Sequence, residues 1–385
     1  MKKRAENPLV AIACGGTGGH LFPGMAVAEA LRELGFDCAL LVSAKEIDHR
    51  ALEGQNDFLV HTLPSVGLAG MPIAGFVTGF LRSFKMMRGW CRAYRPAAVL
   101  AMGGFTSAAP LMAGRFAKIP TFIHEANAFP GRANRWFAPW VDIAFTGFPS
   151  AATRLASQSV QVTGTPARPL FRPMDHAAAR LALGLKPNRP VLLVTGGSQG
   201  ARGLNQGILS WVAQLVQRVP DLQVLHLAGS LDFEATQNRY VELGVPATVK
   251  PFLTEMDLAL GAATLVISRA GASSSAEYAA MRVPTILVPY PAAADDHQTY
   301  NAAEYAHTGA AIVVKQTELG RPATLELVVG LLSDLPRRTA LAEAMSAWHS
   351  PYAAKAMALA MQEVILERLP NLKLEPLPPI EEEVA

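Results

Sequence analysis

Three segments of this 385-residue chain combine residue types that bind anions or move protons. The first, Gly15-Gly16-Thr17-Gly18-Gly19-His20, follows an apolar run and precedes a helical pattern expected to begin near Pro23. Glycines there let backbone amides close on a ligand, and amides at a helix start attract negative charge. A tight strand-to-helix turn would use the same glycines. The spacing is not the G-x-G-x-x-G of a dinucleotide site, and Ser43 ends the second strand where an acid would hold a ribose, with Glu46 only loosely placed. A Walker A loop is absent as well.

The second segment, Ser268-Arg269-Ala270-Gly271-Ala272-Ser273-Ser274-Ser275-Ala276-Glu277, reads as strand, turn and helix start, with small residues leaving the amides open to a diphosphate. One exposed helix N-terminus contributes only about 0.3–1 kcal/mol per anionic charge, so further donors are wanted, and Arg168 and Ser198 are the candidates. Glu277, one turn into that helix, fits the two hydroxyls of a ribose, or merely complements the helix dipole. The third segment is His124-Glu125 at a strand end. With His20, Asp295 and Asp296 it supplies the titratable groups nearest the predicted strand ends. No D-x-D pair stands at a strand end and no His/Asp/Glu cluster has metal-ligand spacing, so the site is expected to work without a metal or other cofactor.

These residues must be held by elements. Short apolar runs such as Leu9–Cys14, Ala98–Met102, Val191–Thr195 and Leu265–Ser268 alternate with longer helical patterns, which predicts an α/β fold built on parallel sheets. The order repeats. Gly15-Gly16 is followed by Gly103-Gly104 and the exit Ile119-Pro120-Thr121; Gly196-Gly197 is followed by Ala270-Gly271 and the exit Val283-Pro284-Thr285. Two Rossmann-like halves follow, with ligands expected at the carboxyl ends of their strands and in a cleft between the halves. The boundary is placed near Thr163-Gly164-Thr165-Pro166, giving domains over 1–165 and 166–345, a C-terminal helix over 346–368 and a disordered tail over 369–385.

Hydrophobic residues make up 50% of the chain and charged ones 17%, which excludes wholesale disorder, and a net charge of +3 makes no case for nucleic acid. Its distribution says more. Between Phe58 and His124 there is no Asp or Glu, whereas Arg82, Lys85, Arg88, Arg92, Arg95, Arg115 and Lys118 all fall there, so something anionic is expected to face that stretch. Within it Ile73, Phe76, Phe80 and Phe84 recur at helical spacing beside Arg82 and Lys85, a pattern that serves either core packing or contact with an anionic membrane. Cys14, Cys38 and Cys91 lack C-x-x-C spacing and suit a reducing compartment. The N-terminus does not read as a signal peptide, and the uncharged window Pro96–Gly114 is broken by Gly103, Gly104 and Pro110, so it reads as strand, loop and helix.

The motifs Gly15-Gly16-Thr17-Gly18-Gly19-His20-Leu21-Phe22-Pro23-Gly24, Met102-Gly103-Gly104-Phe105, His124-Glu125-Ala126-Asn127, Gly164-Thr165-Pro166-Ala167-Arg168, Gly196-Gly197-Ser198-Gln199-Gly200-Ala201 and Ser268 through Glu277 together resemble the MurG family of UDP-N-acetylglucosamine transferases. The resemblance runs in consistent order from about Val10 to about Val314. It implies a GT-B fold and an inverting transfer of N-acetylglucosamine to the 4-hydroxyl of the muramyl sugar of lipid I, giving lipid II for peptidoglycan and, through it, cell shape and division. It implies donor contacts on Thr17, Gly18, Gly19, Asn127, Arg168, Ser198, Leu253, Ala272, Ser273, Ser274, Ser275, Ala276, Glu277, His297 and Gln298, with Glu277 on the ribose and the backbone near Leu253 on the uracil. Gly15, Gly16, Gly103 and Gly104 would face the acceptor diphosphate, and His20 would be the general base with Glu125 next in line. Implied partners are UDP-N-acetylglucosamine, lipid I, the anionic cytoplasmic surface of the inner membrane, where the protein would sit peripherally, and proteins of cell-wall synthesis and division. Two departures stand out: Ala126 where the family has glutamine, and His297 where it has the first of a glutamine pair. Competing readings are another GT-B sugar transferase, a UDP-sugar epimerase, a dinucleotide-dependent oxidoreductase and a non-catalytic membrane scaffold.

Overall fold

The computed structural model describes residues 7–16, 18–44, 52, 58–64, 73–197 and 200–374, excepting the side chains of 73–76 and 105. The chain divides into two units, Met1–Arg168 with Ser350–Ala385, and Pro169–His349. The break falls between Arg168 and Pro169, just past the glycine turn at Thr163–Pro166.

In the first unit β1 (Leu9–Ala13), β2 (Asp37–Ser43), β3 (Leu59–Leu63), β4 (Ala98–Ala101), β5 (Thr121–Glu125), β6 (Ile143–Thr146) and β7 (Val160–Val162) form one sheet in the order β3-β2-β1-β4-β5-β6-β7, every pair parallel. The central strands read as unbroken apolar runs because both faces are covered, as parallel sheets require. Alternation sends Val10, Ile12 and Leu100 into one core and Leu9, Ala11 and Val99 into another. The Gly18–Glu33 helix closes the first face, and the Ile73–Tyr94 and Ala108–Phe116 helices cover the second.

The C-terminal helix, expected as an element of its own, runs from Ala353 to Arg368 and packs Met357, Ala358, Met361 and Ile365 into the same core as the Gly18–Glu33 helix. Arg368 Nη2 donates to Asp142 Oδ1 at its far end. The tail, expected to be disordered from Leu369, is described as far as Leu374, and Leu372 and Leu374 pack against this core beyond the helix end. Residues 375–385 lie outside the described residues.

The second unit holds β8 (Val191–Thr195), β9 (Gln223–Leu227), β10 (Ala247–Lys250), β11 (Leu265–Ser268), β12 (Thr285–Leu287) and β13 (Ile312–Val313) in the order β10-β9-β8-β11-β12-β13, again all parallel. Each unit is thus an α/β doubly wound sheet in which the strand order reverses once, between β1 and β4 and between β8 and β11. At such a reversal the loops leaving two adjacent strands diverge and open a crevice at their carboxyl ends. All four glycine-bearing turns singled out in the sequence lie there.

Candidate functional site

In the first unit the crevice is walled by the turns after β1 and β4. Gly15 is obligatory: a Cβ there would stand 2.2 Å from the backbone nitrogen of Ser43. Thr106 Oγ1 donates to the Gly15 carbonyl at 2.8 Å, tying the second turn to the first. Ser107 Oγ donates to the Gly103 carbonyl at 2.6 Å. Gly103 and Gly104 have φ of +111° and +75°, a region that favours glycine.

The helix after β1 begins at Gly18, five residues before the start expected from Pro23, since proline is tolerated here inside the helix and does not mark its first turn. His20 therefore belongs to the first helical turn. Its imidazole lies over the glycine pair, where a Cβ on Gly103 would stand 3.0 Å from Nε2 and one on Gly104 3.3 Å from Cε1. Gly18 and Gly19 occupy the same turn, and Thr17 lies outside the described residues.

Glu125 is placed differently. It is buried, its Oε1 accepts from the Asn127 backbone N–H at 2.8 Å and from Asn127 Nδ2 at 3.0 Å, and its Oε2 accepts from the Gly131 N–H and from Asn134 Nδ2, both at 2.8 Å. Burial pushes its carboxyl above the ordinary range while these donors pull it back. Both oxygens are thus engaged by its own loop, and the geometry makes Glu125 the organiser of residues 127–134. Asn127, expected at the donor, is one of the groups it holds. Asn134 was missed by sequence reasoning; no spacing rule marks an amide that closes a loop nine residues on.

His124, also buried, faces the other side of the sheet. Its Nε2 lies 3.3 Å from the Gly164 carbonyl, and burial lowers its pKa to about 4, with a charge on His20 acting in the same direction. The ring is neutral at pH 7, so Nε2–H donates to Gly164 and Nδ1 carries the lone pair. Arg168 closes this part of the unit, its guanidinium 4.2 Å from the Phe22 ring, a cation–π contact to the helix that carries His20. Ala126 is buried, so the departure from glutamine places a methyl group inside the unit.

In the second unit the Ala272–Met281 helix starts directly after Gly271, which has extended backbone angles and no side chain to cap it. Its first-turn amides point at the carboxyl end of β11, and an anion is what complements them. Of the consecutive residues expected at the donor, Ala272, Ser275 and Ala276 are buried, whereas Ser273, Ser274 and Glu277 are half-exposed. The latter three share the outward face, because a helix of this period turns only one face outward. Ser198 lies outside the described residues; beside it Gly200 N–H donates to the Gly197 carbonyl at 3.0 Å, closing the turn after β8.

The helix start is held from behind by residues the sequence reading gave no role. Arg269 Nη1 donates to the carbonyls of Val288 and Pro289, each at 3.2 Å, and its Nη2 to Gln316 Oε1 at 2.6 Å. Asn301 Nδ2 donates to the Ala270 carbonyl at 3.0 Å. Gln298 Oε1 accepts from the Tyr290 N–H at 2.9 Å and His297 Nδ1–H donates to the Ala294 carbonyl at 2.8 Å, so both brace the loop between β12 and the His297–His307 helix. Leu253 is buried in the segment after β10, beside the half-exposed Phe252. Among the described residues, no group of three or more His, Cys, Asp or Glu side chains is placed to hold a metal ion.

The basic stretch forms a face of the first unit. Phe80 and Phe84 stack with ring centres 6.3 Å apart and lie half-buried against the core. The outward residues of that helix are Val77 and Leu81, followed on the same side by Lys85, Arg88 and Arg92, with Arg82 adjacent. Phe116, Trp136 and Trp140 are exposed by 68%, 63% and 55%, and these rings were not anticipated. Ile73 and Phe76 lie in the helix, but their side chains are outside those described. Among the described residues no helix is long and apolar enough to cross a membrane.

The model of the glycosyltransferase family 28 N-terminal domain matches residues 10–146, and that of the family 28 C-terminal domain matches residues 191–364. A protein of Anaeromyxobacter sp. (strain Fw109-5), named UDP-N-acetylglucosamine–N-acetylmuramyl-(pentapeptide) pyrophosphoryl-undecaprenol N-acetylglucosamine transferase, is 34% identical over 366 residues, 93% of each chain. One of the same name from Syntrophotalea carbinolica is 36% identical over 350 residues, 86% of this chain and 92% of its own. The crystal structure of Acinetobacter baumannii MurG superposes with a TM-score of 0.72 at 28% identity, covering 93% of this chain and 99% of that one. A UDP-N-acetylglucosamine 2-epimerase from Neisseria meningitidis reaches 0.66 at 14% identity over 92% of this chain and all of its own, a likeness of fold alone.

Proposed function

This chain belongs to the MurG family of UDP-N-acetylglucosamine–N-acetylmuramyl-(pentapeptide) pyrophosphoryl-undecaprenol N-acetylglucosamine transferases, and we propose that it moves N-acetylglucosamine from UDP-N-acetylglucosamine to the 4-hydroxyl of the N-acetylmuramyl sugar of lipid I. The product is lipid II, the disaccharide precursor of peptidoglycan. The observation that carries the reading is the duplicated crevice. One copy presents a histidine over a glycine pair, and the other presents a helix start with no side-chain cap.

In the reaction the acceptor hydroxyl attacks C1 of the donor sugar from the face opposite the diphosphate. The new C1–O bond forms as the bond to UDP breaks, the electron pair leaves with UDP, and the configuration at C1 inverts. His20 takes the hydroxyl proton, a role worth about 10²–10⁴-fold in rate. The amides at Ala272, with Ser273, Ser274, Arg168 and Ser198, stabilise the departing diphosphate, so the scheme places no step on a metal ion or other cofactor. Glu277 binds the ribose and the backbone near Leu253 the uracil. The turns at Gly15-Gly16 and Gly103-Gly104 receive the acceptor diphosphate, and Glu125 keeps the loop beside them in shape.

The acceptor's undecaprenyl chain lies in a bilayer, and we place the protein peripherally on the anionic cytoplasmic surface of the membrane. Val77, Leu81, Phe116 and Trp140 supply apolar contact, and Arg82, Lys85, Arg88, Arg92, Arg115 and Lys118 supply charge, each basic side chain near the surface contributing about 1 kcal/mol. Release of UDP from UDP-N-acetylglucosamine tests the reading. It is expected only when a short-chain lipid I analogue is present; release without acceptor would favour an epimerase or hydrolase, and affinity for NADH without affinity for UDP would favour an oxidoreductase.

A further inference from the structure

Beneath the exposed rings of the first unit lies a cavity of about 310 Å³, lined by Leu111, Met112, Phe116, Phe137, Trp140 and Val141, with Thr121 at its floor and Arg115 at its mouth. The volume is at the lower end for pockets that hold small molecules, roughly 300–1,000 Å³. We propose that it binds one acyl chain of an anionic phospholipid, with the lipid phosphate on Arg115.

Four observations support this occupant. The lining is apolar apart from Thr121 and Arg115, so a hydrocarbon chain fits it and a polar ligand does not. Phe116 and Trp140, both more than half exposed, stand at its rim, and large exposed rings beside a cavity mark a surface meant to be covered. The charge is one-sided: Arg115 and Lys118 are exposed, Arg88 stands over the Phe84 ring, and the nearby carboxylate, Asp142, is already engaged by the Thr121 N–H at 2.7 Å and by Arg368. Finally, Phe116 packs edge-on against Phe84, ring centres 5.6 Å apart, which joins the cavity to the helix bearing Val77 and Leu81. A flat apolar face rests on a bilayer; a cavity opening onto that face withdraws a single chain from it.

The inference rests on the membrane reading above, and the test separates the two. The intact protein is titrated with monomeric phosphatidylglycerols of increasing chain length below their micelle concentrations. Saturable binding is expected, tightening about fourfold for each methylene taken into the cavity and then levelling off once the cavity is full. Met112→Phe, which fills the space, should abolish that chain-length dependence while turnover of a short-chain acceptor is unchanged. Arg115→Glu, at an exposed position, should weaken binding at least tenfold and keep the dependence. Dibromo-acyl phosphatidylglycerol in vesicles should quench tryptophan emission, and Trp140→Phe should remove most of that quenching. Vesicle binding without saturable binding of monomers would overturn the cavity and leave the membrane face standing; loss of both would overturn both. Binding of farnesyl phosphate at this cavity, with none of phosphatidylglycerol, would also overturn the assignment.

Discussion

The His20 imidazole lies directly over Gly103, so that a Cβ on Gly103 would stand 3.0 Å from Nε2. A glycine is required there twice over, because its φ of +111° already strains any other residue. Gly103→Ala is expected to lower stability by about 1–3 kcal/mol and to displace the imidazole. In steady-state kinetics kcat should fall at least tenfold while affinity for UDP, measured by calorimetry, stays the same. An unchanged kcat would show that the imidazole position is immaterial.

His20→Ala removes the assigned base. Turnover should fall about 10²–10⁴-fold, and the limb of the pH–rate profile that reports the base should disappear, with UDP still bound. Near-normal turnover with the same pH dependence would end the assignment.

Glu125→Gln tests whether that carboxylate reacts or organises. An amide replaces two acceptor sites with donors that face N–H groups of Asn127, Gly131 or Asn134. Each buried donor left unpaired costs about 1–3 kcal/mol. Urea unfolding should shift to a clearly lower midpoint, and the pH–rate profile of the remaining activity should keep its shape. A stable variant whose profile loses a limb would make Glu125 the base.

Acid stability should report His124 and His226. Burial lowers their pKa values from 6.5 to about 4 and about 3, His226 being held neutral between Asn205 and Tyr240. Below pH 6.5 the unfolded chain takes up protons that the folded chain refuses. Stability is therefore complete above that value and falls as the pH drops, until His124 itself protonates near 4; the shift at His124 corresponds to about 3 kcal/mol. The raised carboxyl of Glu125 acts in the opposite sense. Urea midpoints measured from pH 7.5 to 4.5 should fall steadily, and His124→Gln should flatten the slope. A slope unaffected by that change would contradict the assignment.

The parallel sheets were legible because fully buried strands such as Val191–Thr195 are unbroken apolar runs ending in glycine. β3, with His61 and Thr62, and β7, with Gln161, carry polar residues at the sheet edges and gave no comparable signal. The turn at Gly15 could be read because close backbone approach demands glycine there, and the one at Gly271 because a run of small residues opens a helix directly after a strand. The braces could not: Arg269, Asn301 and Gln316 hold the Ala272 helix through contacts that span up to 47 residues, and nothing in local spacing announces them. The same limit explains the basic helix. Periodicity found its apolar stripe, but Phe80 and Phe84 turn inward where the Ala108–Phe116 helix packs beside them, and the exposed rings Phe116, Trp136 and Trp140 belong to other elements.

The most direct test of the transferase assignment is isolation of the product formed from UDP-N-acetylglucosamine and a short-chain lipid I analogue, with mass spectrometry for composition and NMR for the linkage. A disaccharide joined β to the 4-hydroxyl of the muramyl sugar is expected, with one UDP released per disaccharide and none without acceptor. A protein that binds UDP yet forms no such product would contradict the assigned acceptor, and one that fails to bind UDP at all would contradict the assignment entirely.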